Sequence, residues 1–307
     1  SVSFQDLILA KKQSDDLSRP YPFFLAYPLE KELSAYGDIK NWQVEWKWDG
    51  IRGQIIQREG QVYIWSRGEE LVTGKFPELA SMASELPSGT VLDGEILTFS
   101  EGKPLPFSLL QTRIGRKTLS KKILQEAPVS FIAYDILEHS GKDLRQNPIK
   151  ERRMMLDDLV KKTNHDRLII SPLVEANNWD DLLTLQGESR IRMAEGFMLK
   201  RSDSPYEVGR KKGSWWKWKI EPLTIDGVLL YAQKGHGRRA DLYTDYTLAV
   251  WEGEKLIPFA KAYSGLTDEE IREVDKYVKQ NTLEKFGPVR TVKPAVVFEI
   301  AFEGIQE

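Results

Sequence analysis

The octapeptide EWKWDGIR, Glu45 to Arg52, constrains this chain more than any other stretch. Apolar and charged residues alternate up to an Asp-Gly pair, and an apolar run follows it. A period of two places successive side chains on opposite faces of a strand. Glu45, Lys47 and Asp49 therefore share one face, and Val44, Trp46 and Trp48 share the other. Asp-Gly marks a tight turn. The segment thus offers a lysine at a strand end and an arginine just past the turn.

The same pattern continues on both sides. Gln43–Trp48, Ile51–Gln57 and Val62–Ser66 read as short strands separated by Asp-Gly and Arg-Glu-Gly-Gln turns. Val91–Thr98, Val129–Leu137, Glu195–Lys200 and Ser214–Lys219 read as further strands. Apolar residues recur at helical spacing in Phe76–Glu85, Lys150–Lys162 and Trp179–Arg190. Residues 1–19 are polar and read as a helix plus linker, and Ser18–Glu30 as an extended, proline-rich lead-in. Pro222 interrupts the strand pattern and marks a boundary. Beyond it, strands Ile225–Gln233, Tyr246–Trp251, Leu256–Ala262 and Ala295–Phe302 flank one helix, Thr267–Gln280. That helix has Thr267 as N-cap and Glu270 three residues on. Short strands with one helix suggest a small Greek-key barrel of the OB type. The expected divisions are 1–19, 20–221 and 222–307.

Composition removes several classes. With 307 residues and 41% hydrophobic content, the chain suits about two globular domains. It has no cysteine, hence no disulfide framework, and its three histidines lack metal-ligand spacing. No apolar run nears the roughly 20 residues of a membrane helix, and the first residues lack the pattern of a secretory signal. A cytoplasmic protein is the expectation. The net charge of −2 does not announce a polyanion partner. Local charge does: Arg113, Arg116, Lys117, Lys121 and Lys122 fall in one stretch, and Arg210, Lys211 and Lys212 in another. Both stretches also fit ordinary solvated loops.

Four further motifs follow in order, and a separate element, WSRGEE, lies between the first and these. In VLDGEIL, Asp93 and Glu95 share a face. FIAYDIL sets Tyr134 and Asp135 in an apolar run. EGFMLK opens on Glu195 and ends on Lys200. WWKWK puts Lys217 and Lys219 opposite Trp216 and Trp218, and WSRGEE carries Arg67. Each alone fits plain structure: an ion-pair ladder around Lys47, a core tyrosine, or lysine stems laid on tryptophan.

Together and in this order, the motifs resemble the nucleotidyltransferase motifs of bacterial ATP-dependent DNA ligases. The likeness runs over residues 20–307 and includes RIGRK, KAYSGLTDEEI and VVFEIAFEGIQ. It implies an α+β fold: an adenylation domain of antiparallel sheets flanked by helices, then an all-β OB-fold barrel incomplete at its C-terminus. It implies that Lys47 attacks the α-phosphate of ATP to form lysyl-AMP, which passes to the 5′-phosphate of a nick for attack by the 3′-hydroxyl. The amine must be neutral to attack, so nearby cations and desolvation favour the step.

The resemblance assigns further roles. Glu45 would accept from the adenine amino group, Trp46 would help bind the nucleotide, and Tyr134 and Met198 would enclose the base. Arg52 and Arg67 would bind phosphate and ribose. Lys200, Lys217 and Lys219 would offset phosphate charge, and Glu95 and Glu195 would hold Mg²⁺. Glu195 and Lys200 lie five residues apart and face opposite ways in a straight strand, so a bulge or twist is needed there. The two basic stretches would contact nicked double-stranded DNA through its backbone. The expected protein is a monomer that here lacks an N-terminal DNA-binding domain and the last basic motif of the barrel, and so charges weakly from ATP.

Overall fold

The computed structural model describes residues 17–263 and 265–302. The helix expected near the N-terminus and the tail Glu303–Glu307 lie outside them, apart from Leu17–Arg19. The chain divides into two compact units between Ile220 and Glu221.

The first unit holds two main sheets and a small parallel pair, Phe24–Leu25 with Gly209–Arg210. Its strands and helices run β1 (Trp42–Trp48), β2 (Ile51–Arg58), β3 (Gln61–Ser66), α1 (Pro77–Ser84), β4 (Thr90–Ser100), α2 (Phe107–Ile114), α3 (Lys121–Glu126), β5 (Val129–His139), α4 (Ile149–Thr163), β6 (Leu168–Ile170), α5 (Trp179–Gln186), β7 (Ala194–Arg201) and β8 (Trp215–Lys219). One sheet has the order β6-β5-β4-β2-β3. The other runs from a two-residue strand, Tyr27–Pro28, through β8 and β7 to β1.

Strand alternation builds the layers. In the first sheet Ile55, Leu92 and Ile136 pack against α1 and its neighbours, with Phe76, Leu79 and Leu156. Their sequence neighbours Ile56, Val91 and Leu137 point the other way and meet Trp215 and Phe24 between the sheets. On the far face of the second sheet, Val44, Trp46, Phe197, Leu199 and Trp216 pack against Leu182 of α5. The gap between the sheets is thus apolar at one end and open at the other.

Asp49-Gly50 does not close a hairpin, because β1 and β2 belong to different sheets. The glycine is needed for a close approach. A Cβ on Gly50 would sit 2.5 Å from the Ile96 carbonyl oxygen and 2.9 Å from Glu95 Cγ. This packing brings the end of β1, with Lys47, against β4.

Several elements gave no clear sequence signal. Helices α2 and α3 occupy the first basic stretch, and α5 stops at Gln186, short of Arg190. Strand β6 is three residues long and pairs parallel to β5.

The second unit has strands β9 (Leu223–Lys234), β10 (Tyr243–Glu252), β11 (Lys255–Ala262), β12 (Thr282–Phe286), β13 (Val289–Val292) and β14 (Val297–Phe302), with helix α6 (Asp268–Gln280). Long β9 pairs with β14 along its first half, with β13 along its second, and with β10 on its other edge. Helix α6 begins with the full capping box of Thr267 and Glu270, buries Ile271 and turns Val274 and Val278 inward to Leu229, Tyr246 and Leu248. The hairpin β12–β13 was not legible in the sequence.

Candidate active site

Between the two sheets of the first unit lies a cavity of about 590 Å³, within the usual range for a small-ligand site. Its lining draws on β1, β7 and β8 of one sheet and on β2, β4 and β5 of the other. The strand motifs named above converge here because alternate residues of neighbouring strands share a face. Glu45, Met198 and Lys217 form one cross-strand row.

Lys47 reaches into the cavity and forms an ion pair with Glu195, which also pairs with Lys219 at 3.3 Å. Burial alone would raise the Glu195 carboxyl. Lys47 and Lys219 more than offset that and hold it below the usual carboxylate range. Lys217 has no ion-pair partner among the described residues. Burial lowers its pKa, and the nearby charges of Arg210, Lys47, Lys219 and Arg67 lower it further.

Glu195 faces the cavity because β7 is irregular. The β7–β1 register shifts between Ala194 and Phe197, and Gly196 takes φ +126°. A Cβ on Gly196 would lie 2.1 Å from the Trp218 carbonyl oxygen. This bulge resolves the five-residue mismatch between Glu195 and Lys200, since both line the cavity.

Lys200 is placed differently from the expected phosphate cation. It is 1% exposed, donates to Glu45 Oε1 at 3.1 Å and lies over the rings of Tyr134 (4.3 Å) and Trp215 (4.7 Å). Glu45 is equally buried and also accepts from Gln43 Nε2 at 2.6 Å. Trp46 needs a similar correction. It lies at the cavity wall, but its ring is buried against Phe197 under Arg192, so the side chain is committed to the core.

On the facing sheet, Arg52 binds both Asp93 oxygens (3.1 and 2.7 Å), the Phe24 carbonyl oxygen (2.7 Å) and the Tyr206 hydroxyl (3.3 Å). Tyr206 donates to Asp93 at 2.6 Å. This network gives most of the five N–H donors of Arg52 protein partners and sets the guanidinium 5.7 Å from the Tyr134 ring centre. Arg52 is therefore built more as a clamp behind Tyr134 than as an open phosphate ligand. Tyr206 carried no sequence signal, because it sits alone in an irregular segment. Burial pushes the Tyr134 hydroxyl well above its ordinary pKa, so the ring stays a neutral platform. Arg67 is exposed at the cavity rim, held by its backbone N–H to the Arg52 carbonyl oxygen.

Glu95 is half-buried in the cavity wall. Burial pushes its carboxyl up to about 8 against the opposing charges of Arg52 and Lys47. Glu95 and Glu195 line the same cavity, and no group of three or more His, Cys, Asp or Glu gathers there or at any other place among the described residues. Two carboxylates suit a hydrated Mg²⁺ that shares its remaining positions with phosphate oxygens, so the donor set fits this ion.

The basic stretches divide. Arg113 is not a surface cation. It is fully buried, with all five N–H groups hydrogen-bonded: two to Glu78 at 2.6 Å each, two to the Lys75 carbonyl and one to the Ala127 carbonyl. It ties α2 to the start of α1. Arg116, Lys117, Lys121 and Lys122 are exposed. Lys211 and Lys212 pair with Glu207 and Glu30, while Arg210 lines the cavity.

A lysine, two carboxylates and a row of cations line one cleft between two mainly antiparallel sheets, an arrangement suited to holding a nucleotide. Residues 25–219 match the family described as the ATP dependent DNA ligase domain, and the chain belongs to that family. It is 36% identical to a probable DNA ligase of Koribacter versatilis over 95% of its own length and 54% of that relative's. It is 28% identical to a DNA ligase of Archaeoglobus fulgidus over 98% of its length and 56% of the relative's. The chain thus spans about half the length of these relatives. A mycobacterial DNA ligase D solved with ATP and MES superposes with a TM-score of 0.56 at 25% identity, covering 94% of this chain and 90% of that one. The fold is that of a ligase catalytic core, a nucleotidyltransferase unit followed by an OB-fold unit. No described helix is long and apolar enough to cross a membrane.

Proposed function

We propose that this chain is the catalytic core of an ATP-dependent DNA ligase and that Lys47 is its nucleophile. The observation that carries the reading is the Lys47–Glu195–Lys219 cluster, set in a cavity opposite Glu95 and beside Lys217. Lys47 Nζ attacks the α-phosphorus of ATP, a P–N bond forms and pyrophosphate leaves. AMP then passes to the 5′-phosphate of a nick, the 3′-hydroxyl attacks that phosphate, and AMP departs.

The other residues divide by position. Glu45 accepts from the adenine amino group, with Tyr134 and Met198 against the base. Lys217 and Lys219 offset phosphate charge, and Arg67 meets the nucleotide from the rim. Glu95 and Glu195 would hold Mg²⁺, which supplies counter-charge to the phosphates. Lys200 and Arg52 act behind the base by fixing Glu45 and Tyr134. Arg116, Lys117, Lys121, Lys122, Arg210, Lys211 and Lys212 contact the DNA backbone without reading sequence.

Incubation with Mg²⁺ and α-labelled ATP tests the central claim. Wild type is expected to carry label and Lys47→Ala to carry none; absence of label on wild type overturns the reading. Labelling by GTP in preference to ATP would overturn the assignment of Glu45 to the adenine amino group.

A further inference from the structure

Glu45 does not stand alone in the cavity wall. Behind it, on α4, Arg153 is buried to 8% exposure. Its Nε meets Asp157 at 3.2 Å, and Nη2 donates to the Ser171 carbonyl oxygen at 2.8 Å. Its Nη1 has no hydrogen-bond partner and lies 3.9 Å from Glu45 Oε1. A buried guanidinium N–H without a partner is uncommon in a native fold.

Arg153 also governs what flanks Glu45. The Ser171 amide donates to the Ala133 carbonyl at 2.7 Å, the Val174 amide donates to the Val44 carbonyl at 2.8 Å, and Leu173 bridges to Glu45 itself. Residues 171–174 thus close the open edge of β1 beside Glu45, and Arg153 grips their first carbonyl. From the other side, Gln43 and Lys200 both donate to Oε1. Every hydrogen bond to this carboxylate among the described residues falls on Oε1, and none on Oε2.

We propose that Arg153 and Gln43 are positioning residues for base selection: they fix Oε1 of Glu45, so that Oε2 meets the exocyclic amino group of the purine. The proposal rests on the reading of Glu45 given above. Adenine presents a donor at that position and guanine an acceptor oxygen. A carboxylate held in one orientation favours the first and repels the second. A carboxylate free to turn discriminates less.

The test is equilibrium binding of AMP and of purine riboside monophosphate, which lacks the 6-amino group. Any bound adenylate is first removed with pyrophosphate and Mg²⁺. Wild type is expected to bind AMP more tightly than the analogue. Arg153→Met and Gln43→Met should each weaken AMP about tenfold and leave the analogue within about twofold. Arg153→Lys should recover part of the loss. Equal weakening of both nucleotides would make Arg153 a merely structural residue of α4 and overturn the proposal, as would unchanged AMP binding in both variants. If wild type binds both nucleotides alike, the reading of Glu45 itself fails.

Discussion

Glu95 is the residue whose charge responds most directly to its surroundings. Its folded carboxyl sits at about 8, against an ordinary 4.5. Between those values the folded chain holds a proton that the unfolded chain releases. Its contribution to stability is therefore complete below pH 4.5 and is lost as pH rises through about 8. Glu95→Gln should gain in melting temperature over wild type by roughly 3 °C or more at pH 9 and change little at pH 4. A pH-independent difference in thermal scans would remove this account. At the same scale, Arg113 and Lys117 look alike in sequence and predict opposite outcomes. Arg113→Met should cost about 3–5 kcal/mol in denaturant unfolding, because it strands Glu78 against a buried site. It should leave the salt slope of DNA binding unchanged. Lys117→Ala should leave stability within about 0.5 kcal/mol and reduce the salt slope by about one.

At the level of strands and turns, two glycines place the chemistry. Gly50 lets the end of β1 lie against β4, and Gly196 lets β7 bulge so that Glu195 joins Lys47. Gly50→Ala and Gly196→Ala should each cost about 1–3 kcal/mol and weaken AMP binding without touching a ligand-facing side chain. Wild-type affinity in either variant would show that the elements tolerate the shift. These elements also show what the sequence could and could not disclose. Faces were legible: alternation assigned Glu45, Lys47, Lys217 and Lys219 to one side and Val44, Trp46 and Trp216 to the other. Partners were not. Asp-Gly reads as a tight turn, but only the structure places β1 and β2 in different sheets. Arg113 has no sequence mark separating it from Arg116, since burial follows from the helical phase of α2 in a stretch that reads as loop. Tyr206 and Arg153 act through contacts 113 and 108 residues away in sequence, at Asp93 and Glu45, and no local pattern carries such a distance.

Across the whole chain, the cavity belongs to one unit. Every lining residue falls between Leu25 and Lys219, before the division at Ile220. The second unit has its own core around Leu229, Leu248 and Val278. A chain ending at Ile220 should therefore bind AMP with a Kd within about twofold of the full chain; a loss of tenfold or more would mean that the second unit completes the site. Assays of lysyl-AMP formation and of nick sealing by the shortened chain would separate what the second unit adds to each step from nucleotide binding.

The pairing of Glu195 with both Lys47 and Lys219 has a further meaning on that chemistry. Once the Lys47 nitrogen is bonded to phosphorus it is no longer a cation, so Glu195 keeps only Lys219 as counter-charge while a new anion sits beside it. Covalent charging thus inverts the local balance: the empty cluster of two ammoniums and one carboxylate carries net positive charge, and the loaded one, with Lys219, Glu195 and the new phosphate, carries net negative charge. The chain would register whether it carries AMP through the appetite of a single carboxylate for a cation.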